Sequence, residues 1–345
     1  MANIINCRLA ATNVAPDTFK EFEQSIKLCH QVFTTMAVEA GMPRLIETIL
    51  AEDFDNIVLE KMRKKEHEAR FTSERPFGHV AAKNLSQDDS HDHVIIIFNA
   101  SDWSREMSST GDGKLLQLAL IAHELAHPYL MRMRSASGAA KDVIYPFITP
   151  TETARSLTRI IIDEYYADSL AALIVNHLCT KTINGASSPA HIWDIFGQTY
   201  LESLKQHISK AGEVFPGYVN SYRTRQIPLE EMWGNVQSAT EHLFVMYIHA
   251  RALADATGEE VLIFDSPEIK QLPFMQRYTQ GSTTTFLNRF RRHSPLLSVD
   301  SWRKMEEDVI PAGELAFKEI WRRLGLEFQE TAPQKSYKII VSAPA

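Results

Sequence analysis

Residues 115–130 read LLQLALIAHELAHPYL, and no other segment constrains the fold as strongly. Leu115, Leu116, Leu118, Leu120, Ile121, Ala122 and Leu125 make a helix here apolar over much of its circumference, so the helix must be buried. It carries His123, Glu124 and His127 into that buried setting. The two histidines are four apart and project from one helical face. Imidazoles held that way can grip one zinc ion at about 2.0–2.1 Å. Glu124, one position on, can reach a metal-bound water without being a ligand, as a general base must. A buried carboxylate without a partner would carry its desolvation cost, and a cation removes that cost.

Such a site needs a third protein ligand. The extended pattern His-x-x-Gly-x-x-His is absent, because Pro128, Tyr129 and Leu130 follow His127. The alternative lies in RSLTRIIIDEYYADSLAALIV, where Glu164 and Asp168 are four apart on one helical face. Ile161, Ala171, Ala172 and Val175 share or flank that face, which turns the carboxylates inward. Glu164 as ligand and Asp168 as acceptor of a ligand imidazole N–H would compensate their burial. Asp163 competes with Glu164 for the ligand role, and an ordinary ion pair with Arg159 is the bland alternative. Pro128 cannot donate to the Glu124 carbonyl, so the helix is predicted to kink or end there.

Strand signals lie before residue 105 and helical ones after it, an α+β arrangement with no internal repeat. Helices are expected over 16–40, 114–134, 151–179, 189–210, 228–257 and 311–325. Residues 78–85 and the β-branched run 93–100 read as strands, with a polar turn at QDDSHDH between them. Residues 44–62 fit either a strand or a helix. The stretch 63–76 is charged and exposed, SSTGDGK at 108–114 is a loop, and the tail from Thr331 is loosely ordered. A boundary near residue 185 divides a catalytic region, 1–185, from a mainly helical region, 186–345, that completes the cleft.

The matching pieces HELAH at 123–127 and Glu164-Tyr-Tyr-Ala-Asp168 make the chain resemble the gluzincin metallopeptidases, the thermolysin-like branch of the zincins. The resemblance spans roughly residues 93–175. It implies a zincin-like fold: a small N-terminal mixed sheet with the active-site helix, then a mainly helical part. It also implies Glu164 as third zinc ligand and Asp168 as the group orienting a zinc-bound histidine. Gluzincins place an edge strand above the active-site helix to pair with extended substrate, and in thermolysin-like members that strand ends in Asn-Ala. Asn99-Ala100 after IIIF matches, which implies substrate contact there. The 36 residues between His127 and Glu164 are a departure, being more than thermolysin-like spacing.

The expected activity is hydrolysis of peptide bonds with one zinc per chain. Tyr165, Tyr166, His242, Tyr247 and His249 are candidate donors to the oxyanion, His249 foremost. A second functional class is a regulatory zincin-domain protein that senses a ligand or cleaves one partner. A non-catalytic structural zinc is a third, disfavoured by Glu124 and by the open coordination position. The His91-x-His93 pair reads as part of a solvated turn. A net charge of −7 gives no footprint for nucleic acid, and the expected partner is a peptide or protein substrate. Three dispersed cysteines, Cys7, Cys29 and Cys179, suggest neither a disulfide framework nor a thiolate site. No signal peptide or apolar run of membrane length is seen, so a cytoplasmic location is expected.

Overall fold

The computed structural model of the chain describes residues 6–35, 43–62, 73–75, 78–106, 111–138, 149–182, 192–256, 266–279, 281–293, 298–331 and 336–342. The chain begins with strand β1 (Asn6–Thr12) and helix α1 (Pro16–Thr35). The ambiguous stretch 44–62 divides into strand β2 (Leu45–Ala51) and helix α2 (Phe54–Lys61). The expected strand 78–85 divides into β4 (Gly78–His79), paired with β3 (Glu74–Arg75), and β5 (Ala82–Ser86). Strand β6 (His93–Asn99) leads directly into α3 (Ala100–Glu106). The expected helix end 36–40 and most of 63–76 lie outside the described residues.

Val94, Ile95, Ile96, Ile97 and Phe98 are all buried, as a strand with both faces covered requires. The sheet order is β1-β2-β6-β5. β1, β2 and β6 run parallel, and β5 pairs antiparallel with β6. Successive side chains alternate faces. Ile49, Ala51, Leu85, Ile95 and Ile97 therefore meet Phe54 and Val58 of α2 on one side. On the other, Phe98 meets Phe22 of α1 at a ring separation of 5.3 Å, and Phe22 meets Trp103 of α3 at 4.8 Å. Asn84 sits opposite Ile96 in the ladder and so shares this second face.

Helix α4 (Gly111–Ser137) starts three residues inside the expected loop. The Cys29 thiol of α1 donates to the Leu118 carbonyl at 3.7 Å, and Phe33 packs edge-on against Tyr129. Arg132 reaches Asp92 beside β6 at 2.6 Å. Of the two outcomes expected at Pro128, an end is not what occurs: α4 runs on to Ser137, as the expected span 114–134 required. Pro128 is buried, as are Tyr129, Leu130 and Met133 beyond it, and that packing outweighs the one lost backbone bond.

Helix α5 (Pro150–Thr182) has neither Gly nor Pro after its first residue, so nothing in it favours a kink. The chain forms two compact units that interleave along the sequence. One comprises residues 1–139, 166–195 and 295–302; the other comprises 140–165, 196–294 and 303–345. α5 is one continuous helix whose parts belong to both.

The second unit holds α6 (Ile192–Arg223, from residue 196), α7 (Leu229–Ala256), α8 (Pro267–Lys270), α9 (Pro273–Tyr278), α10 (Gly281–Arg289) and α11 (Val299–Arg323, from residue 303). α7 is buried on nearly every side, and Phe244 packs edge-on against Phe317 of α11 at 4.8 Å. Two expectations are corrected here. α6 and α11 run through Pro216 and Pro311, so both helices exceed their predicted spans. The described part of the tail is not loose: β8 (Ser336–Val341) pairs antiparallel with β7 (Leu326–Thr331), while 332–335 and 343–345 lie outside the described residues. Phe328 of β7 packs on Trp233 and Trp321, which gives the pair an apolar anchor. The described chain is thus mostly helical with a small mixed sheet, broadly α+β as expected. No described helix is long and apolar enough to cross a membrane.

Candidate metal centre

One turn of α4 separates His123 from His127. Their rings meet edge to face at 4.7 Å, and the two Nε2 atoms lie 3.1 Å apart. Two ligands of one tetrahedral zinc, each at about 2.05 Å, would stand about 3.4 Å apart. His123 and Glu124 are each 9% exposed. The far nitrogen of His123, Nδ1, lies 2.7 Å from Asp168 Oδ1. A carboxylate only accepts, so Nδ1 carries the proton and Nε2 keeps its lone pair turned towards His127.

Glu164 stands one turn before Asp168 on the uninterrupted α5. Whatever fixes Asp168 on His123 therefore also fixes the height and face of Glu164. His123 and His127 supply two imidazole nitrogens of zinc-ligand type, with the Asp168 carboxylate behind one of them to set its tautomer, and Glu164 is the carboxylate that α5 carries one turn before Asp168. The residues present fit the ion.

Glu124 is held from the sheet. Asn84 on β5 donates its side-chain amide to Glu124 Oε2 at 2.5 Å. No sequence motif marks Asn84, because a strand alternation gives its face but not its partner. His249 of α7 lies with Nε2 3.9 Å from Glu164 Oε2, beside the carboxylate proposed as a ligand.

Asn99-Ala100 does not end an edge strand, contrary to expectation. β6 is interior, flanked by β2 and β5, so it offers no free edge to a substrate. The Asn99 N–H is bound to the Ala81 carbonyl at 2.8 Å. Its side-chain oxygen accepts from the Ser101 N–H and hydroxyl, which caps the start of α3. Ala100 is buried. The sheet edge on the α4 side is β5.

The other donor candidates are engaged elsewhere. Tyr165 donates to Asp255 at 3.1 Å, and Asp255 also accepts from Arg251 and Arg291 at 2.7 Å each. Tyr166 is fully buried against Trp302. Tyr247 donates to the Met275 sulfur, and burial pushes its phenol well above the usual value. His242 lies against His207 of α6. His91 lies in the turn before β6, with φ 56° and a bond to Ser86, and His93 opens the strand, its N–H donating to Asp88.

Comparison with protein families, curated proteins and solved structures finds no match to this chain.

Proposed function

We propose that the chain is a zinc-dependent metallopeptidase of gluzincin type. The observation that carries this reading is the pair His123 and His127 with their Nε2 atoms 3.1 Å apart, Glu124 beside them and Asp168 behind His123, on the helix that bears Glu164 one turn earlier. When bound, zinc lowers the pKa of a coordinated water and polarises the scissile carbonyl. Glu124 accepts the proton of the attacking water at a carboxylate oxygen and later delivers it to the leaving amine. Asp168 keeps His123 in the tautomer whose Nε2 is a ligand. His249 supplies a donor to the developing oxyanion. The edge role expected of residues 93–99 passes to β5, where an extended peptide can add as a further strand.

The test is digestion of casein and of mixed peptides by zinc-loaded protein and by Glu124→Gln. The variant keeps its zinc and loses about 10²–10⁴-fold in turnover. Equal turnover in the two proteins removes Glu124 as base. A zinc-loaded wild type that leaves casein and all peptides intact rejects a general peptidase and favours the single-target alternative.

A further inference from the structure

We infer that Asn84 is a positioning residue that fixes the Glu124 carboxylate by donating one amide N–H to Oε2. The consequence for hydrolysis rests on the metallopeptidase reading; the contact does not. The strand sets the direction of the side chain. Leu85 is buried in the α2-side core, so its neighbour Asn84 must face the other way, towards α4. The ladder locks this register, since Asn84 lies opposite Ile96 and a slip of one residue would turn Leu85 out of the core.

The amide has one productive orientation. Its oxygen and the carboxylate are both acceptors, so the nitrogen must face Glu124. The anchor also sits where the helix backbone is weakest. Pro128 has no N–H for the Glu124 carbonyl, and that turn of α4 lacks one of its own bonds. A side-chain tie from a paired strand supplies the restraint there, as a site on rigid elements needs.

The test uses the full-length, zinc-loaded, ¹⁵N-labelled protein. The Asn84 side-chain amide resonances are identified by their loss in Asn84→Asp. Glu124→Ala then shifts them, because the carboxylate acceptor is gone; unshifted resonances overturn the inference whatever the activity. Turnover gives the second reading. Asn84→Ala and the isosteric Asn84→Asp keep the zinc content and lose roughly 10- to 100-fold in kcat, with KM changed less than about threefold. A loss confined to KM would make Asn84 a substrate contact instead, and Asn84→Asp matching wild type would reduce it to packing. Either overturns the inference. If the resonances respond to Glu124→Ala but the wild type cleaves nothing, the contact stands and the metallopeptidase reading is what fails.

Discussion

Asp168 Oδ1 lies 2.7 Å from Nδ1 of His123, and the helix that carries Asp168 carries Glu164 one turn earlier. One contact thus sets the tautomer of a histidine and the position of a second candidate ligand. Asp168→Asn keeps the size of the side chain and removes the charge. Zinc affinity, read by competition with a chromogenic chelator, falls about 10- to 100-fold. Unchanged affinity would mean that Asp168 does not orient His123.

Gly313 of α11 has no room for a side chain. A Cβ there would sit 2.6 Å from Thr158 Cγ2 and 2.9 Å from Phe286 Cε2. Ala is better than Gly in a helix by about 1 kcal/mol, but overpacking costs about 1–3 kcal/mol. Gly313→Ala is therefore net destabilising in urea unfolding. Gly217→Ala in α6, where a Cβ meets nothing within 4 Å, is neutral or stabilising.

Burial raises the Asp88 carboxyl, but bonds from Ser90, Asp92 and His93 outweigh it and hold the group at about 2, below its ordinary 3.8. The folded value is the lower one, so Asp88 adds stability above pH about 4 and loses it as pH falls towards 2. Asp88→Asn flattens the acid limb of stability in that window. A variant with an unaltered acid limb would assign the effect to other carboxylates.

Burial pushes the Cys29 thiol up to about 12, and its hydrogen points at the Leu118 carbonyl. At pH about 8 it has almost no thiolate. Peptide mapping after iodoacetamide treatment finds Cys29 unmodified in the native protein and modified after urea. Rapid native labelling would show that the α1–α4 contact opens readily.

The sequence was most readable where a local pattern carried its own meaning. The apolar period around HELAH specified a buried helix, and the four-residue step from Glu164 to Asp168 specified a shared face. β6 was read as a strand but misplaced as an edge, although five consecutive apolar residues already indicated burial on both faces. Pro128 was expected to kink or end its helix, Pro216 lay beyond the expected helix 189–210 and Pro311 at the start of 311–325, yet all three lie inside helices, where tertiary packing overrides a local penalty. The β8 run Ile339-Ile340-Val341 sits between prolines, and its partner Leu326–Thr331 is only visible once the chain is folded. Asn84 was invisible for a related reason: its significance is a contact 40 residues away.

The most direct measurement is the metal content of the purified chain. One zinc per chain is predicted, with most of it lost in His123→Ala and in Glu164→Ala. A wild-type chain that holds no zinc after exposure to the metal would contradict the account.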